Sequence, residues 1–501
     1  VDPKTGIKLT YGIPLFGAIC SNLPFIAFEN VPAEDELLIN QEFDRDYVNR
    51  KSDLSYFIAL HLANMLRDKG YLGIITSNAW LGTSAGAAFY CNLLEHYNLL
   101  QVHVSGSGRW FQNADVVTTI LILQKRDSSE NRLPTTFWLW KKTLEAISNN
   151  SDYERTIIES SLLNKSSDES IIKCSEYTND QIDQLHNMNI SYNALFHDVL
   201  WLLDIQQVLT PLRSLFKVFR GSRRGWDALF FPKDKNSIES KFLHPALFNA
   251  KKLDDLVAVP DRKAFSCGLD LATLETNFKG AYKWIKKFEN QKNGTGKPLT
   301  EVLARPKEKW YEMKPNEVAE IFTMMNPDKR IFFGRFNEPT FINQRLIGLT
   351  LLDKSSDVVL YHALLNSILM KFFIEAVGFG RGLGVLDINK DNVASCLMLN
   401  PACLSQHSVN IIKMSFMIVT GKPIMTVEEE LKDTDWISFN HTVLSAFNID
   451  SYYDSICNSL KSMRKARMTA KDKSEVNETS KVGNIKYDAS LSKEYSIAAE
   501  P

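Results

Sequence analysis

Ser21-Asn22-Leu23-Pro24-Phe25 directly follows an apolar run and combines group types that could act on a planar amine. The exocyclic nitrogen of a nucleobase is a poor nucleophile, because its lone pair is delocalised into the ring. Two acceptors aimed at its hydrogens can draw it toward a tetrahedral geometry. The Asn22 side-chain oxygen and the Leu23 backbone carbonyl are such a pair, Pro24 would hold them rigid, and Phe25 could stack on the base. This is positioning with preorganised electrostatics, and it needs no early general base. The chemistry it suits is methylation of a base amine. A paired base must first leave the duplex, at a cost of a few kcal/mol. Read alone, the same pentapeptide is equally a loop in which Asn turns the chain before Pro.

The elements around it must place that turn. Gly12–Cys20 is an apolar run that reads as a strand. After a polar stretch over Pro32–Arg50, a helix is expected, capped by Ser52 or Asp53. Leu54, Phe57, Ile58, Leu62, Met65 and Leu66 fall on one face, and Gly70 stands as its stop. Leu72–Thr76 reads as a short buried strand, Ala85–Tyr97 as a helix and Leu99–Val104 as a strand. Val116–Leu123 is β-branched and apolar enough to be covered on both faces. Such alternation predicts part of a doubly wound α/β sheet.

Downstream the charge changes. Residues 211–350 hold 26 lysines and arginines against 16 acidic residues, an excess of ten, whereas the whole 501-residue chain has a net charge of −1. A basic concentration of this kind favours a polyanionic partner. Trp226, Phe230, Phe231, Tyr282, Trp284, Trp310 and Tyr311 interleave with it. Asp357–Val377 reads as one amphipathic helix, and 405–468 as helical.

Other classes are excluded by what the chain carries. Aromatic residues at 11% supply ample core material, so most of the chain is not disordered. The longest clean apolar runs fall far short of the roughly 20 residues a bilayer needs, so no membrane span is expected. Seven scattered cysteines with no C-x-x-C pair read as reduced cytoplasmic thiols. No phosphate loop of the Gly-x-x-x-x-Gly-Lys type and no metal-ligand spacing is present, so no metal is expected.

Asn22-Leu23-Pro24-Phe25 resembles the Asn/Asp-Pro-Pro-Tyr/Phe motif of N6-adenine DNA methyltransferases. Leu23 departs from the usual first proline, a mild departure because the group required there is a backbone carbonyl. Asn-Leu-Pro-Tyr/Phe also occurs in related adenine-dimethylating RNA enzymes. The resemblance extends over residues 12–125, through Ser52–Phe57, Gly70–Leu81 and Phe111–Leu123. Trp80 and Phe111 are equally well core packing, while Asn78 and Asp115 are expected to shape loops at strand ends. A second resemblance covers 216–400. Phe219-Arg220-Gly221-Ser222-Arg223-Arg224-Gly225-Trp226-Asp227, Arg330–Arg335, Phe341–Leu346 and Phe379–Asp387 are similar to the target-recognition region of type IIG-like restriction–modification methyltransferases. Glycines beside Arg223, Arg224 and Arg381 would permit close approach to a phosphate chain, and arginine can read guanine. Each arginine is also readable as a solvated surface charge, and Trp226 as core.

The resemblance implies an α/β fold. The C-terminal part of a doubly wound, Rossmann-like methyltransferase sheet would be followed by an α+β target-recognition domain and a helical C-terminal region. Expected bounds are 1–145 for the catalytic part, 146–210 for a connecting region, 211–404 for DNA recognition, 405–469 for the helical region and 470–501 for a disordered tail. It implies Asn22, Leu23, Pro24 and Phe25 as catalytic residues, and Arg220, Arg223, Arg224, Trp226, Arg335 and Arg381 as DNA-binding ones. S-adenosylmethionine is the implied cofactor and duplex DNA the implied partner, with a restriction endonuclease domain or subunit as a further one. In that family the donor half precedes the catalytic motif. The 21 residues before Asn22 carry no Gly-rich turn, so the sequence is expected to be a piece of a longer protein. The alternative is a non-catalytic DNA-binding or specificity module, and charge alone does not separate DNA from RNA.

Overall fold

Short β-branched and aromatic runs, each too brief to be a stable helix, build the first sheet. The computed structural model describes residues 14–32, 36, 39, 52–111, 117–127, 131–143, 152–168, 170–222, 225–233, 236–313, 318–380 and 386–478. The chain divides into two compact units, one formed mainly by residues up to Asp180, the other by Gln181–Arg381 and Val385–Arg464.

In the first unit six strands, β1 (Phe16–Asn22), β2 (Leu66–Ser77), β3 (Tyr97–Ser105), β4 (Thr118–Lys125), β5 (Thr135–Trp140) and β6 (Ile172–Tyr177), form one mixed sheet in the order β1-β2-β4-β3-β5-β6. β1 runs parallel to β2, and β3 to β5, whereas β4 is inserted antiparallel between β2 and β3. Helices α1 (Leu54–His61) and α2 (Ser84–His96) meet through Tyr56 and Phe89, whose rings stack with centroids 4.3 Å apart. A third helix, α3 (Asp152–Asn164), packs through Ile158 on Trp138 of β5. The expected α/β class is observed. The sheet also reaches β6, within the 146–210 stretch read as a connection. The alternation in Ile172–Tyr177 is weak, and its place is set by pairing with β5.

One element differs in length. The helix expected to run from Asp53 toward Gly70 ends at His61, followed by one 3-10 turn, and β2 already begins at Leu66. Lys69 takes a left-handed backbone (φ 60°) and the β1–β2 register slips there, so Gly70 sits inside an irregular strand. A β carbon at Gly70 would lie 2.8 Å from the Arg67 carbonyl. The apolar spacing over 54–66 fits a helix, but Leu66 is buried beneath the sheet edge as a strand residue.

The second unit holds β7 (Leu209–Pro211), paired with Leu397–Leu399, and a six-stranded sheet. That sheet is formed by β8 (Phe216–Arg220), β9 (Leu243–Leu247), β10 (Arg262–Phe265), β11 (Val318–Met324), β12 (Gly334–Ile342) and β13 (Leu346–Leu351), in the order β10-β9-β12-β11-β13-β8. Helices α4 (Leu271–Asn277) and α5 (Lys279–Glu289) cover one cluster of its core, which includes Leu229, Phe265, Ile285 and Phe341.

The helix expected over Asp357–Val377 is two, α6 (Val358–Leu365) and α7 (Ile368–Val377), bent by 62°. Asn366 makes the break tolerable. Its side chain donates to the Phe333 and His362 carbonyls and accepts from the Phe333 amide, while Asn440 accepts from the Ile368 amide. Freed helix-end groups thus find side-chain partners. The helical region contains α8 (Gln406–Thr420), α9 (Thr434–Ala446) and α10 (Tyr453–Glu478). The backbone of α10 carries helix into 470–478, where Ala, Lys and Glu favour it. Among the described residues no single helix is long and apolar enough to cross a membrane.

Candidate active site

The turn after β1 is built from the strand's own C-terminal end. Asn22 is the last strand residue, in register with Ile75 of β2. One residue on, the Leu23 amide donates to the Ile75 carbonyl at 3.2 Å, and the Leu23 side chain is buried (3% exposed). Asn22 and Pro24 remain exposed and Phe25 is half-buried. The loop is fixed again at its far end, where the Leu54 amide donates to the Ile26 carbonyl at 3.0 Å. Both ends of the Asn22–Ile26 segment are therefore tied to backbone, and the apolar Leu23 side chain anchors it. Chemically, such a segment can present a side-chain amide, a carbonyl and an aromatic face to a planar ligand.

Asp53 is expected as a helix cap, yet its side chain makes no capping bond. It accepts instead from the Ser77 hydroxyl at 3.0 Å, at the end of β2. Burial raises the Asp53 carboxyl above the usual range, the Ser77 bond opposes that, and the nearby Glu29 charge adds to it. The neighbouring Ser55 and Thr76 hydroxyls are 3.0 Å apart. These contacts pin the start of α1, and with it Ile26, to the C-terminal end of β2. Sequence reading missed this pairing, since Asp before an apolar helix is also the signature of a cap.

Trp80 is buried, with its indole N–H donating to Thr119 Oγ1 at 3.0 Å, while Phe111 is exposed. The Asn78 amide donates to the Val117 carbonyl, joining the end of β2 to the start of β4. Asp115 lies outside the described residues.

Of the arginines singled out above, Arg223, Arg224 and Arg381 lie outside the described residues. Arg220 is exposed on β8, and its Nε donates to the Gln344 carbonyl at 2.8 Å. Arg335 is half-buried on β12, with Nη1 donating to the Phe336 carbonyl at 3.2 Å. Strands β11 and β13 stand between β12 and β8, so the two backbones are separated by roughly 14 Å. Trp226 packs half-buried against the Leu229–Phe230 cluster. Among the described residues, Arg220 and Arg335 thus stand on separate strands of one sheet.

No family model matches the sequence. Among solved structures, the chain is similar to the type IIG restriction endonuclease BpuSI at 12% identity. That match covers 91% of this chain and 54% of the other, with a TM-score of 0.41. It is similar to the type IIL restriction–modification enzyme MmeI in complex with DNA at 11% identity, over 90% of this chain and 57% of that one, with a TM-score of 0.49. A type I restriction–modification methyltransferase subunit from Streptococcus thermophilus matches at 18% identity over 36% of this chain and 38% of its own, with a TM-score of 0.27. The chain thus spans little more than half the length of BpuSI or MmeI.

Among the described residues, Gly86 and the Gly106–Gly108 turn do not form a Gly-rich cradle for S-adenosylmethionine. Gly86 is spent on packing, since a β carbon there would lie 2.0 Å from the Trp80 carbonyl. The Gly106-Ser107-Gly108 turn follows β3, but Gly106 is packed on Leu139 and no helix opens in the residues described after it. A donor site needs a Gly-rich turn leading into a helix N-terminus, or a comparable cradle, and none of these glycines supplies one.

Proposed function

We propose that this chain is the base-binding and DNA-reading part of a methyltransferase that modifies adenine N6 in duplex DNA, within a restriction–modification system. The observation that carries the reading is the twice-anchored turn at the C-terminal end of parallel strand β1, with Asn22 exposed and Leu23 buried. Ligands of open α/β sheets bind at such strand ends.

On this reading the Asn22 side-chain oxygen and the Leu23 carbonyl accept hydrogen bonds from the two amino N–H groups of an extruded adenine. Their pull localises the nitrogen lone pair. Phe25 stacks on the ring and holds the nitrogen in line for attack. Asp53 and Ser77 position the loop without touching the base. S-adenosylmethionine supplies an electrophilic methyl carbon, and its site belongs to polypeptide beyond the described residues. The edge of β1 supports that arrangement. Among the described strands β1 pairs only with β2, and Leu15 and Phe16 are 58% and 41% exposed. An unpaired apolar edge is a natural place for further strands.

The test is Asn22→Ala in the complete protein, assayed for methyl transfer to unmethylated duplex. Loss of at least a hundredfold in kcat with DNA affinity retained is expected. Near-parental turnover would overturn the assignment of the turn.

A further inference from the structure

Residues 279–297 hold six lysines and a single glutamate. Helix α5 buries Ala281, Ile285 and Phe288 on one side. Its outer side exposes Lys279, Lys283 and Lys287, spaced i, i+4, i+8. Lys286 is neutralised by Glu289 at 2.9 Å. Among the described residues no carboxylate pairs with Lys279, Lys283 or Lys287. Like charges four apart destabilise a helix; only Lys287 of the three is offset by a ring, lying 5.2 Å from the Trp284 centroid among the described contacts.

The chain then enters a rigid turn, Lys292–Pro298, closed by an antiparallel bridge between its end residues. Asn293 Oδ1 accepts from the Thr295 and Lys297 amides at 3.0 and 2.9 Å, and the Gly296 amide donates to the Asn293 carbonyl at 2.9 Å. Gly296 is left-handed (φ 80°), and a β carbon on Gly294 or Gly296 would meet nothing within 4 Å. The result is a narrow tip with no side-chain bulk at its glycines, flanked by exposed Lys292 and Lys297. Such a tip can come close to a sugar–phosphate chain.

We propose that Lys279, Lys283 and Lys287, together with Lys292 and Lys297, form a phosphate-binding surface for duplex DNA. The proposal rests on the reading of 211–404 as a DNA-recognition region and locates its main backbone contact. Four residues of helix advance about 6 Å, close to the roughly 7 Å rise of two nucleotides on one strand. Successive lysines can therefore each meet a different phosphate of one strand. Lysine acts there as a point charge, so the surface sets affinity and register but not sequence choice.

The experiment measures binding of the full chain to a labelled duplex of unrelated sequence by fluorescence anisotropy, over a series of salt concentrations. The parent is compared with K279Q/K283Q/K287Q, with K292Q/K297Q, and with K432Q/K461Q/K465Q, which removes the helix variant's charge from exposed lysines outside 211–404. All four are checked for an unchanged thermal transition. The slope of log K against log salt should fall in magnitude by about 2–3 for the helix variant and about 1–2 for the turn variant. The control should keep the parental slope. If the parent binds duplex and both lysine variants keep its slope, this surface is wrong while the DNA reading stands. If the parent ignores duplex, both fall. A lysine-dependent slope seen with RNA and not with duplex DNA overturns the choice of partner.

Discussion

The amide of Leu23 donates to the carbonyl of Ile75 at 3.2 Å, extending the β1–β2 ladder one residue past Asn22. That single bond decides what residue 23 can be. A proline there would have no N–H to give. The chain instead uses a leucine that closes the ladder with its amide and buries its side chain. Leu23→Ala therefore separates anchoring from chemistry. It should lower stability by about 2–3 kcal/mol, read from urea unfolding. Methyl transfer at a temperature where the variant stays folded should remain within a few-fold of the parent, because the carbonyl survives.

Phe25 is half-buried, and on the proposed reading it stacks on the base. Stacking of a base on an aromatic ring contributes roughly 1–3 kcal/mol. Phe25→Ala should therefore reduce kcat/KM by about 5- to 150-fold, and Phe25→Tyr should restore most of it. Steady-state methylation of a hemimethylated duplex makes the comparison. A ring that serves only as core would weaken thermal stability and leave kcat/KM alone.

His103 on β3 is buried, and the Trp140 indole N–H donates to its Nδ1 at 3.2 Å. That bond makes Nδ1 the acceptor, so the proton sits on Nε2, 3.1 Å from Gln101 Oε1. Burial holds the His103 imidazolium down at about 4. Because the folded value lies below the ordinary 6.5, the unfolded chain binds the extra proton first as pH falls. Stability is full above about pH 6.5 and is lost progressively down to about pH 4, by on the order of 3 kcal/mol. Urea unfolding at pH 7 and pH 4.5 should show this drop, and His103→Phe should lessen it.

Lys371 of α7 forms an ion pair with Glu430, and both are buried. The Lys371 ammonium also lies 4.2 Å from the Trp436 ring centre. Burial, with the neighbouring Arg464 charge, pushes the Lys371 ammonium well below its ordinary range, so the pair depends on Glu430. Lys371→Met removes the partner of Glu430 and should destabilise the protein by about 3–5 kcal/mol. Adding Glu430→Leu should recover much of that loss. Chemical denaturation of both single variants and the double gives the coupling directly.

Local chemistry made several elements readable in advance. Val116–Leu123 announced β4 through β-branched, almost wholly apolar residues, Ala85–Tyr97 announced α2, and Asn22–Phe25 announced a turn at a strand end. Where two local patterns overlapped, the reading ran long. Leu54–Leu66 has helical spacing throughout, yet Leu62–Met65 tighten into a 3-10 turn and Leu66 joins β2. Asp357–Val377 has amphipathic helical spacing, yet Asn366 breaks it by bonding to Phe333, 33 positions away. The arginines were conspicuous by neighbouring glycines, whereas the lysines of α5 are conspicuous only once the helix face opposite them is seen to be buried.

The sequence alone determined the α/β alternation, the basic middle region and the residue types of the Asn22–Phe25 turn, because these follow from side-chain period, charge and the rigidity of proline. Tertiary structure alone decided that Leu23 anchors while Asn22 stays exposed, that Asp53 serves Ser77 and not a helix end, and that Arg220 and Arg335 stand three strands apart. The physical reason is the same in each case. Hydrogen-bond partners and burial are set by which distant strands lie side by side, and no local pattern encodes that adjacency.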